Sequence, residues 1–111
     1  YRPGWHFPGG GVEKNETMNV ALHRELKEEA GVLLNGRPEL FAIYANFKRF
    51  PSDHVALFVV RNWQQPIIPK PNLEIAEIGL FAPDALPEST VGPVRRRLDE
   101  VLLDKAPDDA W

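Results

Sequence analysis

Three glutamates crowd little more than one turn of a helix-forming stretch. Glu25, Glu28 and Glu29 stand at i, i+3 and i+4. At about 100° per residue they share roughly 100° of arc, with neighbouring Cβ atoms ~5–6 Å apart. Like charges so placed weaken an isolated helix. With Glu25 at zero, Met18 falls at about 20°, Leu22 at about 60° and Leu26 at about 100°, while His23 and Lys27 lie opposite. The acids therefore overlap the edge of the apolar stripe. Carboxylates held against a core need a counter-charge, or their pKa values rise. Arg24 reaches Glu28 at i+4, but one cation does not balance three acids, and Lys27 faces away. A hard divalent cation does: Mg²⁺ takes oxygen ligands at ~2.0–2.1 Å, commonly one or two carboxylates with water and substrate phosphate. From this helix alone, a solvated acidic face is the alternative.

The elements that must position these groups follow from local signals. Gly9-Gly10-Gly11 comes just before the helix, with Glu16 between. Glycines let the backbone approach a ligand closely and present its polar groups, though most such runs are only turns. The helix is expected from Thr17 to Ala30, with Thr17 as N-cap and Gly31 closing it. Trp5-His6-Phe7 reads as a short strand ended by Pro8. Strands are expected over Glu39–Phe47, His54–Trp63 and Glu74–Phe81, and Val55–Val60 has the near-continuous apolar character of a buried strand. Gln64–Asn72, with three prolines, reads as a loop. A last helix carries Val94, Leu98, Val101 and Leu102 on one stripe. Thr90 is its expected cap, and Pro93 is tolerated in its first turn. Ala106–Trp111 is expected to be a loose tail. The order is strand, helix, several strands, helix: a mixed α/β (α+β) single domain over residues 1–111.

Composition narrows the classes. The chain has 111 residues, 43% hydrophobic and 26% charged, neither a disordered tail nor a membrane protein. Thirteen Lys and Arg against 16 Asp and Glu give a net charge of −3, which argues against non-specific nucleic-acid binding. Cysteine is absent, which removes disulfides, thiolate metal sites and cysteine nucleophiles and fits a cytoplasmic protein.

Taken together, Gly10, Glu16, Arg24-Glu25-Leu26, Glu28-Glu29 and Gly31-Val32 stand at the spacing of the 23-residue Nudix box. Over Gly10–Val32 the chain resembles the Nudix hydrolase family at every fixed position of that signature. The resemblance continues more loosely through Trp5–Gly10 and Glu77–Pro87. It implies a Nudix-type mixed β-sheet flanked by helices. It also implies hydrolysis of a nucleoside diphosphate linked to another moiety, dependent on Mg²⁺ or Mn²⁺. By the same resemblance, Glu25 and Glu29 are metal ligands, Glu28 is a further ligand or proton acceptor, the Gly9 carbonyl completes the coordination, and Glu16 holds an outer or extra-metal position. Arg24 orients the glutamates. The catalytic base lies outside the box; Glu77 is the first candidate and Glu74 the second.

Other residues admit two readings each. Trp5 and Phe7 stack on a base or pack in the core; Trp5, with Gly10, is carried as substrate-binding. Arg95-Arg96-Arg97 reads as a solvated basic face rather than a phosphate contact, Tyr44 as sheet packing and His54 as structural rather than catalytic. One or two strands that relatives place before residues 1–11 are missing from the numbering, so either upstream residues exist or a second copy supplies the pairing in a strand-exchanged homodimer. The rival to an enzyme is a non-catalytic Nudix-like nucleotide-binding or regulatory module; the intact Arg24, Glu25, Glu28 and Glu29 favour the enzyme. The substrate stays open among sugar nucleotides such as ADP-ribose, oxidised nucleoside triphosphates and dinucleoside polyphosphates.

Overall fold

The computed structural model describes residues 4–70 and 79–111. In chain order the elements are α1 (Met18–Ala30), β1 (Leu33–Leu34), β2 (Glu39–Ala45), β3 (His54–Val59), β4 (Trp63–Gln64) and α2 (Gly92–Leu102). Helix α1 forms as its sequence dictates. The Thr17 side chain accepts a hydrogen bond from Val20 N–H at 3.1 Å, satisfying one of the orphan amides of the first turn. At the other end Gly31 takes φ 67°, a left-handed conformation that glycine adopts without steric cost. The N–H groups of Gly31 and Val32 then return to Lys27 and Leu26 at 3.0 and 3.1 Å.

Strands β2 and β3 pair antiparallel from Glu39 opposite Val59 to Ala45 opposite His54, with an irregularity between Leu40 and Ala42. Their hairpin closes where Asn46 N–H meets the Asp53 carbonyl at 2.8 Å. This ends β2 two residues before the expected Phe47. Strand β3 stops at Val59, and Trp63 instead opens β4, which pairs antiparallel with β1. Strand β1, directly after the helix, was not expected. The apolar run of β3 is half-buried rather than fully covered, and Leu40 and Ile43 of β2 stand exposed. The α+β class holds, with antiparallel ladders and two isolated parallel bridges, Trp5 to Thr90 and Ala45 to Ala110, among the described residues. Of Trp5-His6-Phe7 only Trp5 makes a bridge. The expected strand over Glu74–Phe81 falls largely outside the described residues, and 79–81 are not in a strand.

Four expectations at the C-terminal end are corrected. Helix α2 is capped at Val91, with Pro93 in its first turn. The buried Thr90 hydroxyl finds no hydrogen-bond partner among the described residues, because the chain enters the helix one residue later than its side chain could serve. Leu102 is exposed, and the buried face of α2 carries Val94, Arg97 and Glu100. Arg95 and Arg96 are exposed as a solvated run should be, but Arg97 is 0% exposed. Its guanidinium lies 4.4 Å from the centroid of the Tyr44 ring. It pairs with Glu100 at 2.9 Å and with Asp108 at 2.9 Å, and donates to the Trp111 carbonyl at 2.8 Å. A buried arginine needs such partners, since an unpaired buried charge is costly; only its Nε, at ion-pair distance from Glu100, makes no well-aligned hydrogen bond among the described residues.

The segment expected to be a loose tail is therefore fixed. Its main chain runs beside β2: Ala45 N–H donates to the Asp109 carbonyl and Trp111 N–H to the Ala45 carbonyl, each at 2.8 Å. Trp111 meets Tyr44 edge to face at 5.3 Å. Tyr44 is buried as expected, and its hydroxyl donates to Glu100 at 2.7 Å. Burial first, then the neighbouring Glu100 carboxylate, pushes the Tyr44 pKa up. Burial opposes ionisation of Glu100. The Asp108 amide, the Tyr44 hydroxyl and Arg97 outweigh it and hold that carboxyl below its ordinary range.

Candidate metal and diphosphate site

Helix α1 presents Glu25 and Glu29 to the glycine loop. Both are half-buried at the edge of the stripe formed by Leu22 and Leu26, while Glu28, one position further round, is exposed. Glu29 accepts a hydrogen bond from Gly9 N–H at 2.7 Å. Glu25 lies against Gly10, where a β-carbon would collide with its carboxylate. A side chain at position 10 would displace that carboxylate, and the loop and the helix are joined through the two acids predicted to hold metal.

The loop returns to the helix through a turn at Lys14-Asn15. Asn15 has φ 62°, a left-handed conformation that asparagine tolerates better than most residues. The turn closes with Glu16 N–H to the Glu13 carbonyl at 3.1 Å, and Glu13 N–H donates back to the Glu16 carboxylate at 2.9 Å. This aims Glu16 at Arg24.

Arg24 ties the acids together. Its Nε and Nη2 donate to the two oxygens of Glu16 at 2.7 and 2.8 Å, a bidentate fork of the kind guanidinium geometry favours. Its Nη1 reaches Glu25 at 2.9 Å and Glu28 only at 3.4 Å, and Nη2 also donates to the Gly11 carbonyl at 3.0 Å. The i,i+4 contact to Glu28 foreseen from spacing is thus the weakest of these links, and Glu16 is the main partner. The Arg24 hydrogen bond, helped by the Glu13 amide, pulls the Glu16 pKa down to about 2. Glu16, followed by Glu25, pushes that of Arg24 up.

Among the described residues, no three acidic or histidine side chains are gathered as a ready cage for a metal ion. The donor set nonetheless suits a hard divalent cation. It consists of carboxylate oxygens beside a glycine loop, and the cleared space at Gly10 lets Glu25 and the loop share a ligand. Glu28, whose side chain is 62% exposed, touches only the outer edge of this group, through Arg24 Nη1 at 3.4 Å. Glu77 and Glu74, the candidate bases, lie outside the described residues. Trp5 lies just upstream of the loop, half-buried, its backbone tied to the segment before α2. The Arg24–Gly11 contact and the Asn15 turn were not foreseen; the only signal for either was an asparagine ahead of Glu16.

A family model for the Nudix domain matches residues 1–102. The chain belongs to the Nudix family. Among the similar Nudix proteins, an RNA pyrophosphohydrolase of Hydrogenovibrio crunogenus is 34% identical over 67 residues, which is 60% of this chain and 38% of that protein. An 8-oxo-dGTP diphosphatase of Proteus vulgaris is 38% identical over 68 residues, 60% of this chain and 58% of that protein. The 8-oxo-dGTP diphosphatase of Escherichia coli K12 is 36% identical over 61 residues, 52% of this chain and 44% of that protein. The matches therefore span less than two thirds of these relatives' lengths. No solved structure matches the chain significantly. Among the described residues, no helix of this Nudix domain is long and apolar enough to cross a membrane.

Proposed function

We propose that this Nudix chain hydrolyses a phosphoric anhydride bond of a nucleoside diphosphate linked to another moiety, with Mg²⁺ or Mn²⁺ as cofactor. The observation that carries the reading is the double attachment of α1 to the glycine loop, Glu29 to Gly9 N–H and Glu25 against Gly10. Glu25, Glu28 and Glu29 would hold the cation, with the Gly9 carbonyl as a further donor. A divalent cation there supplies charge neutralisation of the diphosphate and activation of the attacking water. Arg24 keeps Glu25 oriented while its charge is committed to Glu16. Glu77 is the proposed base, with Glu74 behind it.

The relatives named as RNA pyrophosphohydrolase and 8-oxo-dGTP diphosphatase support phosphoanhydride chemistry and leave two kinds of substrate to separate. The test is a panel of ADP-ribose, 8-oxo-dGTP, a dinucleoside polyphosphate and an RNA with a 5′-triphosphate, assayed with Mg²⁺ and with excess chelator. Metal-dependent release of phosphate, pyrophosphate or nucleoside monophosphate from one of them is the expected result. Metal-dependent binding with no turnover of any would favour the rival reading as a nucleotide-binding module. The exposed Leu40 and Ile43 on the two-stranded β2–β3 sheet support a homodimer, and a stable 12.6 kDa particle in light scattering would count against it.

A further inference from the structure

The loop that joins β2 to β3 carries Phe47-Lys48-Arg49-Phe50, two aromatic rings enclosing two cations. All four residues are exposed, Phe47 at 64% and Phe50 at 46%. Turns are ordinarily built from glycine, proline, asparagine, aspartate and serine, and the shape of this one is set without the rings. Asn46 N–H and the Asp53 carbonyl close its base at 2.8 Å. Arg49 N–H returns to the Asn46 carbonyl and Asp53 N–H to the Phe50 carbonyl, each at 3.1 Å. The charge in the loop is uncommitted as well. Asp53 is its one acid, and the Asn46 side-chain amide donates to that carboxylate at 3.2 Å. Among the described residues neither Lys48 nor Arg49 pairs with a carboxylate. The Arg49 guanidinium lies 5.8 Å from the centroid of the Phe50 ring, so a cation and an open π face share one place.

Exposed rings and unpaired cations on a hydrogen-bonded turn fit a polyanion whose units carry π faces of their own. We propose that the 46–53 loop is a binding site for single-stranded nucleic acid, with bases stacking on Phe47 and Phe50 and phosphates meeting Lys48 and Arg49. The net charge of −3 argues against binding spread over the whole surface, and this loop is a local exception to it. An anionic membrane is the other surface that takes rings and cations together. A loop suited to it carries its rings at the tip and its cations at the water-facing base. Here the cations stand between the rings in the chain and would be drawn into hydrocarbon with them, which is costly. The loop uses none of the residues assigned to the metal and diphosphate site, so the inference does not depend on the hydrolase reading.

The test is fluorescence anisotropy of a labelled RNA of about ten nucleotides, within the span of single-strand sites. The strand carries a 5′-hydroxyl and excess chelator is present, so neither an anhydride bond nor a metal takes part. The same sequence as DNA and as an RNA duplex is measured beside it. Binding of both single strands, tighter than of the duplex, is the expected result. The slope of log affinity against log salt should be about −1.4, two phosphates at about −0.7 each. Lys48→Ala and Arg49→Ala should each remove about 0.7 from that slope. Phe47→Leu and Phe50→Leu keep apolar bulk without a π face, and each should weaken binding roughly tenfold at unchanged slope. Phe50→Trp should keep wild-type affinity. No binding at low salt, equal binding of duplex, or affinity and slope untouched by these variants would overturn the proposal. So would flotation with phosphatidylserine vesicles that the phenylalanine variants abolish while RNA binding stays as in the wild type.

Discussion

Two arginines of this chain sit among carboxylates, and burial makes them different devices. Arg97 is sealed: 0% exposed, with Glu100 at 5%, the Tyr44 and Trp111 rings at 4.4 and 5.3 Å and a backbone carbonyl at 2.8 Å. Arg24 lies at a half-open edge, its side chain 21% exposed, and its contacts range from a 2.7 Å bond to Glu16 to approaches of 3.4 and 3.7 Å to the largely exposed Glu28 and Glu13. The same ionic chemistry is scaffold where solvent is excluded, because breaking a pair there strands a charge. At the helix–loop seam it is adjustable, because water can accept whatever the arginine releases. Admission of a cation and a diphosphate, as proposed for this seam, would call for the second kind.

The contrast makes ordered predictions. Arg97→Ala should cost about 3–5 kcal/mol of stability, the range for breaking a buried ion pair, measured as a fall in the urea midpoint; a loss below ~1 kcal/mol would erase the distinction from exposed pairs. Glu29→Gln should leave that midpoint near wild type while lowering metal-dependent turnover by about 100-fold, the upper end of losses seen on disturbing groups around a metal. An unchanged rate would remove Glu29 from the ligand set. Gly10→Ala, whose methyl meets the Glu25 carboxylate, should raise the Mg²⁺ needed for half-maximal activity by roughly tenfold, read from a metal titration.

The smallest effect is one of pH. The Glu16 pKa is lowered in the fold from 4.5 to about 2. Its contribution to stability is therefore complete above pH 4.5 and disappears as pH falls toward 2. Melting curves of the wild type and Glu16→Gln should differ most at neutral pH and converge under strong acid. A constant gap across that window would show that Arg24 does not depend on the Glu16 charge.

The sequence made some of this legible because the controlling forces are local. The bounds of α1 follow from Thr17 and Gly31, and the facing of its acids from helical period alone. The placing of the glycine loop beside Glu25 and Glu29 followed from the resemblance to the Nudix box. The Arg97 cluster did not, because its partners come from Tyr44, Asp108 and Trp111, residues distant in the chain whose meeting no periodicity announces. Within Arg95-Arg96-Arg97, three identical side chains meet two solvated positions and one buried one, and only packing against β2 distinguishes them. The dominance of Glu16 over Glu28 as the Arg24 partner was hidden for a related reason: it depends on a left-handed Asn15 that turns the loop back onto the helix.

The placement of residues 109–111 along β2 has a consequence for the molecule in concentrated solution. The amide and carbonyl of Ala45 are already satisfied by the chain's own backbone, so a foreign strand arriving at that end of the sheet meets no free hydrogen-bonding groups there. Proteolytic trimming of those last residues would expose them beside the apolar Ile43, turning a guarded margin into a nucleus for intermolecular β-aggregation.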